Sequence, residues 1–312
     1  MLITTHKERV MKLSNRHNIN PIFEQVYNSI SYERGDVDIS ATQLIDSPKI
    51  KMLKDHNEDK LASDLNNQIP AMLGTIIHEK LSSVPLPYPS IVEARLVLEM
   101  HGWKISGQPD LISLKDKKVI LSDYKYTGEY SVRSGKIEWE RQLNVYAYMI
   151  KHGVRLDTGD PLVFNDEPIE KINKLIVTAI LRDWKQRAAM RDKEYPQSWV
   201  VDMPIRLWSD VEQKEYIEER IFLHKEAHDL YEETKMLPPC TDEERWMQGH
   251  TYAVMKAGKK RAEKLFSDRY EAELHCSKIK GGYVEDRIPE DTRCQNYCNV
   301  SDFCEQWFRS RR

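Results

Sequence analysis

The stretch "GQPDLISLKDKKVILSDYKYT", residues 107–127, constrains this chain more than any other. Two β-patterned runs flank a Lys-Asp-Lys-Lys turn, so it reads as a hairpin. A buried hairpin excludes lone charge. Yet Asp110, Asp123 and Lys125 stand at its strand ends.

Side chains at i and i+2 of a strand share a face. Asp123 and Lys125 therefore point the same way as Val119 and Leu121, and Tyr124 points the other way. The strand runs from a packed region into a polar end. Gly107 and Pro109 bend or end the preceding strand, which would bring Asp110 beside Asp123. Converging carboxylates repel, and each drifts to a higher pKa unless a cation lies between them. A hard divalent ion, Mg²⁺ or Mn²⁺, would relieve that repulsion. An ammonium beside such an ion suits phosphoryl chemistry, where it orients water or offsets developing charge. Taken alone, the same three residues also describe a solvated ion pair capping a hairpin.

The rest of the chain supplies the context. Its 312 residues suffice for one large or two smaller domains. Residues 1–70 read as a polar, helical lead-in packed on a core, with "ISATQLIDSP" carrying cap-like Ser40 and Thr42 before a break at Pro48. "IPAMLGTIIHEKL" has helical spacing, with His78 beside its apolar stripe. "IVEARLVLEM", "GWKISGQPDLISL" and "KVILSDYKYT" predict a three-stranded antiparallel meander. "KIEWERQLNVYAYMIKHG" predicts a helix ending near Gly153, and "KLIVTAILRDW" a central buried strand. Ser209 to Glu212 opens a long helix with a capping-box pattern.

No apolar run reaches membrane-spanning length, and the first residues lack the pattern of a secretory leader, so a cytoplasmic, intracellular protein without membrane partners is expected. The net charge of −3 excludes a strongly basic coat but allows a local basic groove. All five cysteines fall at or after Cys240, a clustering that points to a metal or cluster site in a reducing compartment.

These residues resemble the PD-(D/E)xK nuclease superfamily, and within it the RecB-type branch. That branch is marked by a helical His, an upstream Glu, a G-x-x-D strand, a D/E-x-K strand and a Q-x-x-x-Y helix. Here His78 in "GTIIHEKL", Glu93 in "IVEARL", Asp110 in "GQPD", Asp123 and Lys125 in "DYK", and Gln142 and Tyr146 in "QLNVY" follow in that order. The resemblance implies a restriction-endonuclease-like α/β core over 71–236, a mixed sheet flanked by helices. It implies that Asp110, Asp123, His78 and the Tyr124 carbonyl hold the catalytic Mg²⁺ or Mn²⁺ and that Lys125 positions the attacking water. Glu93 would act in the outer shell or on a second metal, and Gln142 and Tyr146 would support the lysine or contact DNA phosphate. The implied activity is metal-dependent DNA hydrolysis, with exonuclease action on ends or single strands in recombination, repair or phage DNA metabolism. The alternatives are a non-catalytic DNA-binding scaffold or a zinc-bound interaction protein. With no helicase motif in the chain, a helicase, annealing or recombination protein would be its partner.

Residues 237–312 read as a cysteine-clasped module. Cys294, Cys298 and Cys304 form a close trio. RecB-type relatives often carry a [4Fe–4S] cluster on such a trio plus one cysteine ahead of the nuclease motifs, a position this chain leaves without cysteine. Cys240, presented by a Pro-Pro-Cys turn, is the preferred fourth ligand over Cys276, and Zn²⁺ is the alternative metal. Tyr297, Phe303, Trp307 and Phe308 could shield a cluster. "YAVMKAGKKRAEKLF" predicts a basic helix whose Lys256, Lys259, Lys260, Arg261 and Lys264 contact DNA phosphates, with a solvated helix surface as the alternative. Trp184 and Tyr130 could stack on bases of a single strand or simply pack in the core.

Overall fold

A computed structural model describes residues 12–30 and 35–311, and the chain forms two compact units, Met1–Met236 and Leu237–Arg312. Residues 1–11 and 31–34 of the expected lead-in lie outside the described residues, as does most of the stretch read against a secretory leader.

The first unit opens with helices α1 (Ile22–Ser29), α2 (Ala41–Leu44), α3 (Pro48–His56) and α4 (Leu65–Ser82). Ser40 caps α2 in a reciprocal capping box with Gln43. Pro48 starts α3 rather than only breaking a pattern, because the first helical position needs no N–H. The division expected at residue 70 falls inside α4.

The expected meander resolves into strands of two sheets. "IVEARLVLEM" divides at Glu93, which has φ +50°, into β1 (Ser90–Val92) and β2 (Leu96–Met100). "GWKISGQPDLISL" divides into β3 (Trp103–Gly107) and β4 (Leu111–Lys115). A left-handed residue turns the chain off the strand direction, and Pro109 has no N–H to give a ladder. At Gly107 a Cβ would sit 2.8 Å from Met149 Sδ and 3.0 Å from Tyr146 Cε1, so this bend relies on glycine for close approach. β2 and β3 pair in a small sheet with the two-residue strands Ile39–Ser40 and Val154–Arg155.

The larger sheet contains β5 (Lys118–Thr127), β6 (Lys174–Leu181) and β7 (Val200–Ile205) in the order β7-β6-β5-β4-β1. β5 and β6 run parallel, and the other pairs are antiparallel. A parallel pair needs a crossover. Short α5 (Glu129–Ser134) and the long α6 (Ile137–His152) supply it, and α6 stops at Gly153. β6 lies between two neighbours, but its side chains alternate between buried and half-buried, so only one face is fully packed. On that face Val177, Leu175 and Leu121 join Leu143 and Met149 of α6 in one core. α7 (Gln186–Ala189) follows β6, and α8 (Asp210–Thr234) begins at the Ser209–Glu212 capping box. This mixed sheet flanked by helices is consistent with a restriction-endonuclease-like core.

In the second unit, β8 (Thr251–Lys256), β9 (Lys264–Phe266) and β10 (Gly282–Arg287) form an antiparallel sheet beside α9 (Arg269–Cys276), and α10 (Thr292–Asn296) and α11 (Glu305–Ser310) follow. The stretch expected as a basic helix is the β8–β9 hairpin. Gly258 at φ +82° interrupts any helix there, and Ala253, Val254 and Met255 are buried in the sheet. No helix among the described residues is long and apolar enough to cross a membrane.

Candidate active site

The fold brings α4, the β1–β2 break, the Gly107–Asp110 bend and the end of β5 together. His78 on α4 reaches β5, where its Nε2 lies 2.9 Å from the Tyr124 carbonyl oxygen. A carbonyl only accepts, so Nε2 carries the proton. The other ring nitrogen, Nδ1, lies 3.3 Å from Asp110 Oδ1. Asp110 Oδ2 accepts the Tyr124 N–H at 2.6 Å, which clasps the bend to β5.

Glu93 enters from the β1–β2 break. Its Oε1 accepts from Ser82 Oγ at 3.0 Å and its Oε2 from Gln108 Nε2 at 2.8 Å, while Gln108 Oε1 accepts from Arg95 Nη2 at 3.1 Å. The left-handed backbone at Glu93 costs about 1–2 kcal/mol for a residue with a Cβ. One ligand atom each from His78, Glu93 and Asp110 lie within 4.8 Å of one another.

Asp123 and Lys125 form the second half. Asp123 is 2% exposed. Its Oδ2 ion-pairs with Lys125 Nζ at 2.7 Å and otherwise lacks a hydrogen-bond partner. Lys125 Nζ donates to Gln142 Oε1 at 2.9 Å, and Gln142 Nε2 donates to the Tyr146 hydroxyl at 3.0 Å. Gln142 and Tyr146 share a face of α6, as their spacing predicts. Gln142 is buried.

The electrostatics follow from this crowding. Burial pushes Asp123 up to about 6; Lys125 opposes that rise and Asp110 adds to it. Burial also raises Glu93, with Asp110 second. The hydrogen bond to Asp110 raises His78. Three clustered N and O ligands and an under-bonded buried carboxylate oxygen are the donor set a hard divalent cation takes. The neighbouring cleft of about 1750 Å³ has His78, Glu93, Lys125, Tyr146, Thr42 and Gly74 among its lining residues.

Ser82, Gln108 and Arg95 escaped the sequence reading. Ser82 follows His78 by one helical turn, a signal available in hindsight, and Gln108 stands inside the "GQPD" motif. Arg95 had no local signal.

Of the other expected residues, Tyr130 is exposed on α5 and Trp184 is half-buried, both in the first unit, and the rest lie in the second unit. Lys256 ends β8, Lys259, Lys260 and Arg261 occupy the hairpin turn, and Lys264 starts β9. Lys259 ion-pairs with Glu263 at 2.6 Å, and Lys264 stands over the Phe266 ring. Cys240 and Cys304 are buried, whereas Cys294 and Cys298 are half-buried. The Cys294 thiol is pushed up to about 11 by burial, then by Asp291, Cys298 and Cys304, so the trio are electrostatic neighbours. Gln306 Oε1 accepts the Cys240 N–H at 2.8 Å and its Nε2 donates to the Cys240 carbonyl at 3.0 Å, which ties the Pro-Pro-Cys segment to α11. Cys276 packs against β10, with its Sγ 3.1 Å from where a Cβ on Gly282 would stand. Tyr297 and Phe308, expected to cover the thiols, are 69% and 48% exposed.

A search of curated proteins found no match. Among solved structures the chain is similar to one titled "Crystal structure of SSO0001", with 17% identity over 64% of this chain and 82% of that chain and a TM-score of 0.42. The profile of the PD-(D/E)XK nuclease superfamily matches residues 22–305. With nearly the whole length matched and an acid–lysine site on its mixed sheet, this chain belongs to the PD-(D/E)XK nuclease superfamily.

Proposed function

We propose that the protein is a Mg²⁺- or Mn²⁺-dependent deoxyribonuclease of RecB type, an exonuclease acting on ends or single strands in recombination, repair or phage DNA metabolism. The observation that carries this is the juxtaposition of His78, Glu93 and Asp110 within 4.8 Å, on the same sheet end as the buried Asp123–Lys125 pair. Asp110, Asp123, His78 and the Tyr124 carbonyl would hold the ion, and Glu93 would serve it from the outer shell or hold a second one. Such an ion polarises a phosphate and lowers the pKa of a bound water.

The chain's own residues divide the remaining work. Gln142 fixes the Lys125 ammonium, and Tyr146 fixes Gln142, so Lys125 reaches toward the cleft at a set position. There it would orient the attacking water and offset charge developing on phosphorus. Ser82 and Gln108 hold both oxygens of Glu93. The second unit would carry a [4Fe–4S] cluster on Cys240, Cys294, Cys298 and Cys304, with Zn²⁺ the competing occupant. The tie from Gln306 to Cys240 supports that ligand over Cys276. Lys256, Lys259, Lys260, Arg261 and Lys264 would contact phosphates, and a helicase, annealing or recombination protein would deliver the DNA.

End-labelled linear, circular and single-stranded DNA, incubated with Mg²⁺, Mn²⁺ or EDTA, test this directly. The expected outcome is metal-dependent shortening from ends. Cleavage that persists in EDTA, or in the well-folded Asp123→Ala protein, would refute it.

A further inference from the structure

A second chemical cluster in the first unit has no part in the hydrolytic site. Residues 182–199 join β6 to β7 and hold exposed Arg182, Lys185, Arg187, Arg191 and Lys193 against Asp183, Asp192 and Glu194. Two of the three acids are already engaged. Asp183 Oδ1 accepts the Glu129 N–H at 2.8 Å at the start of α5. Asp192 Oδ1 accepts the Glu194 N–H at 2.9 Å, and its Oδ2 faces Arg133 at 3.9 Å. None of the five cations forms an ion pair among the described residues.

The same connection presents a tilted pair of aromatic rings, at an interplanar angle of 44°. Trp199 is 56% exposed, and its ring lies 5.4 Å from that of Trp184. Trp184 is anchored, because its Nε1–H donates to the Pro196 carbonyl at 2.7 Å. Buried Tyr195 accepts the Lys185 N–H at 3.0 Å and stiffens the loop. The segment also starts close to the candidate site. Leu181 pairs with Thr127, two residues beyond Lys125 on β5, or about 7 Å along the strand.

We infer that the β6–β7 connection is a binding shelf for single-stranded DNA, with the Trp199 ring stacking on an unpaired base and Lys185, Arg187 and Arg191 taking backbone phosphates. An exposed indole set against an anchored neighbouring ring suits a base with a free face, which a duplex hides. Five unpaired cations match a polyanion and would be costly to bury under an apolar protein partner. The choice of DNA rests on the nuclease reading, but the shelf is testable without cleavage.

The experiment is fluorescence anisotropy of the full-length protein in EDTA, with a labelled single-stranded oligonucleotide and a matched duplex. Trp199→Ala should weaken single-strand binding by roughly 5- to 150-fold, the range of one lost base stack, and change duplex binding less than about twofold. Trp199→Phe should restore most of the affinity. The double variant Arg187→Glu, Arg191→Glu should weaken both and lower the single-strand salt slope by roughly 1.4. Unchanged circular dichroism and melting would show that the variants fold. Wild-type single-strand affinity in Trp199→Ala would overturn the shelf and leave this face to a protein partner. Equal losses on single strand and duplex would overturn the stacking role. A failed nuclease reading shows itself separately, as cleavage indifferent to EDTA or to Asp123→Ala.

Discussion

Acid should loosen the α2 segment through one buried imidazole. His224 of α8 is 2% exposed, and its Nε2–H donates to the Leu44 carbonyl at 3.1 Å. Arg220, one turn earlier, donates to the same carbonyl and to that of Asp46. Together they hold the end of α2, whose Thr42 and Gln43 line the cleft. Burial, reinforced by the Arg220 charge, pushes His224 down to about 4. The unfolded chain protonates near the ordinary value of 6.5, whereas the folded chain resists until about 4. Stability from this residue is therefore complete above 6.5 and is lost as pH falls from 6.5 to 4, with no further loss below. The whole depression corresponds to about 3 kcal/mol, of which about 2 kcal/mol is lost between pH 8 and pH 5. Glutamine at 224 can keep an N–H donor toward Leu44 and cannot titrate. We expect urea unfolding, followed by hydrogen exchange in peptides of α2, α3 and α8, to show the wild type losing about 2 kcal/mol more than His224→Gln between pH 8 and pH 5. Parallel pH profiles in the two proteins would refute the reasoning.

Four further outcomes follow from the site and its supports. Lys125→Ala should lower the cleavage rate by at least ~10²-fold, and Gln142→Ala, which leaves the ammonium held by Asp123 without its second anchor, should lower kcat by less than that while sparing the melting temperature. Glu93→Gln should weaken Mn²⁺ binding by about 10- to 100-fold in calorimetry, and Gln108→Ala should show a smaller loss of the same sign. Gly107→Ala should destabilise the protein by about 1–3 kcal/mol in denaturant melts, since its Cβ would press on Met149 and Tyr146 in a packed core. For the tail, anaerobic purification and elemental analysis should find iron lost from Cys240→Ser and Cys294→Ser but kept in Cys276→Ser, whereas one zinc and no iron would exclude the cluster.

Relations set by backbone geometry were readable from the sequence by itself. Asp123 and Lys125 share a face because strands repeat every two residues, and Gln142 meets Tyr146 because helices bring i and i+4 together. The Ser209–Glu212 box marked the start of α8 for the same reason. The ordered His, Glu, Asp, Asp, Lys, Gln and Tyr likewise carried the family without coordinates. Docking decided the rest, because contacts between distant segments leave no local period. Only the packed chain splits the expected meander at Glu93 and at Gly107–Asp110 and turns Glu93 toward Ser82 and Gln108. Only α6 against the sheet shows that Gln142 anchors Lys125. The basic stretch misled because its cations fit a helix face equally well. The buried Ala253-Val254-Met255 run and left-handed Gly258 make it a hairpin, a choice settled by the sheet it joins. Trp184 and Trp199 lie fifteen residues apart in an irregular connection. No periodicity links them, and only the fold of that connection sets one ring against the other, tilted by 44°.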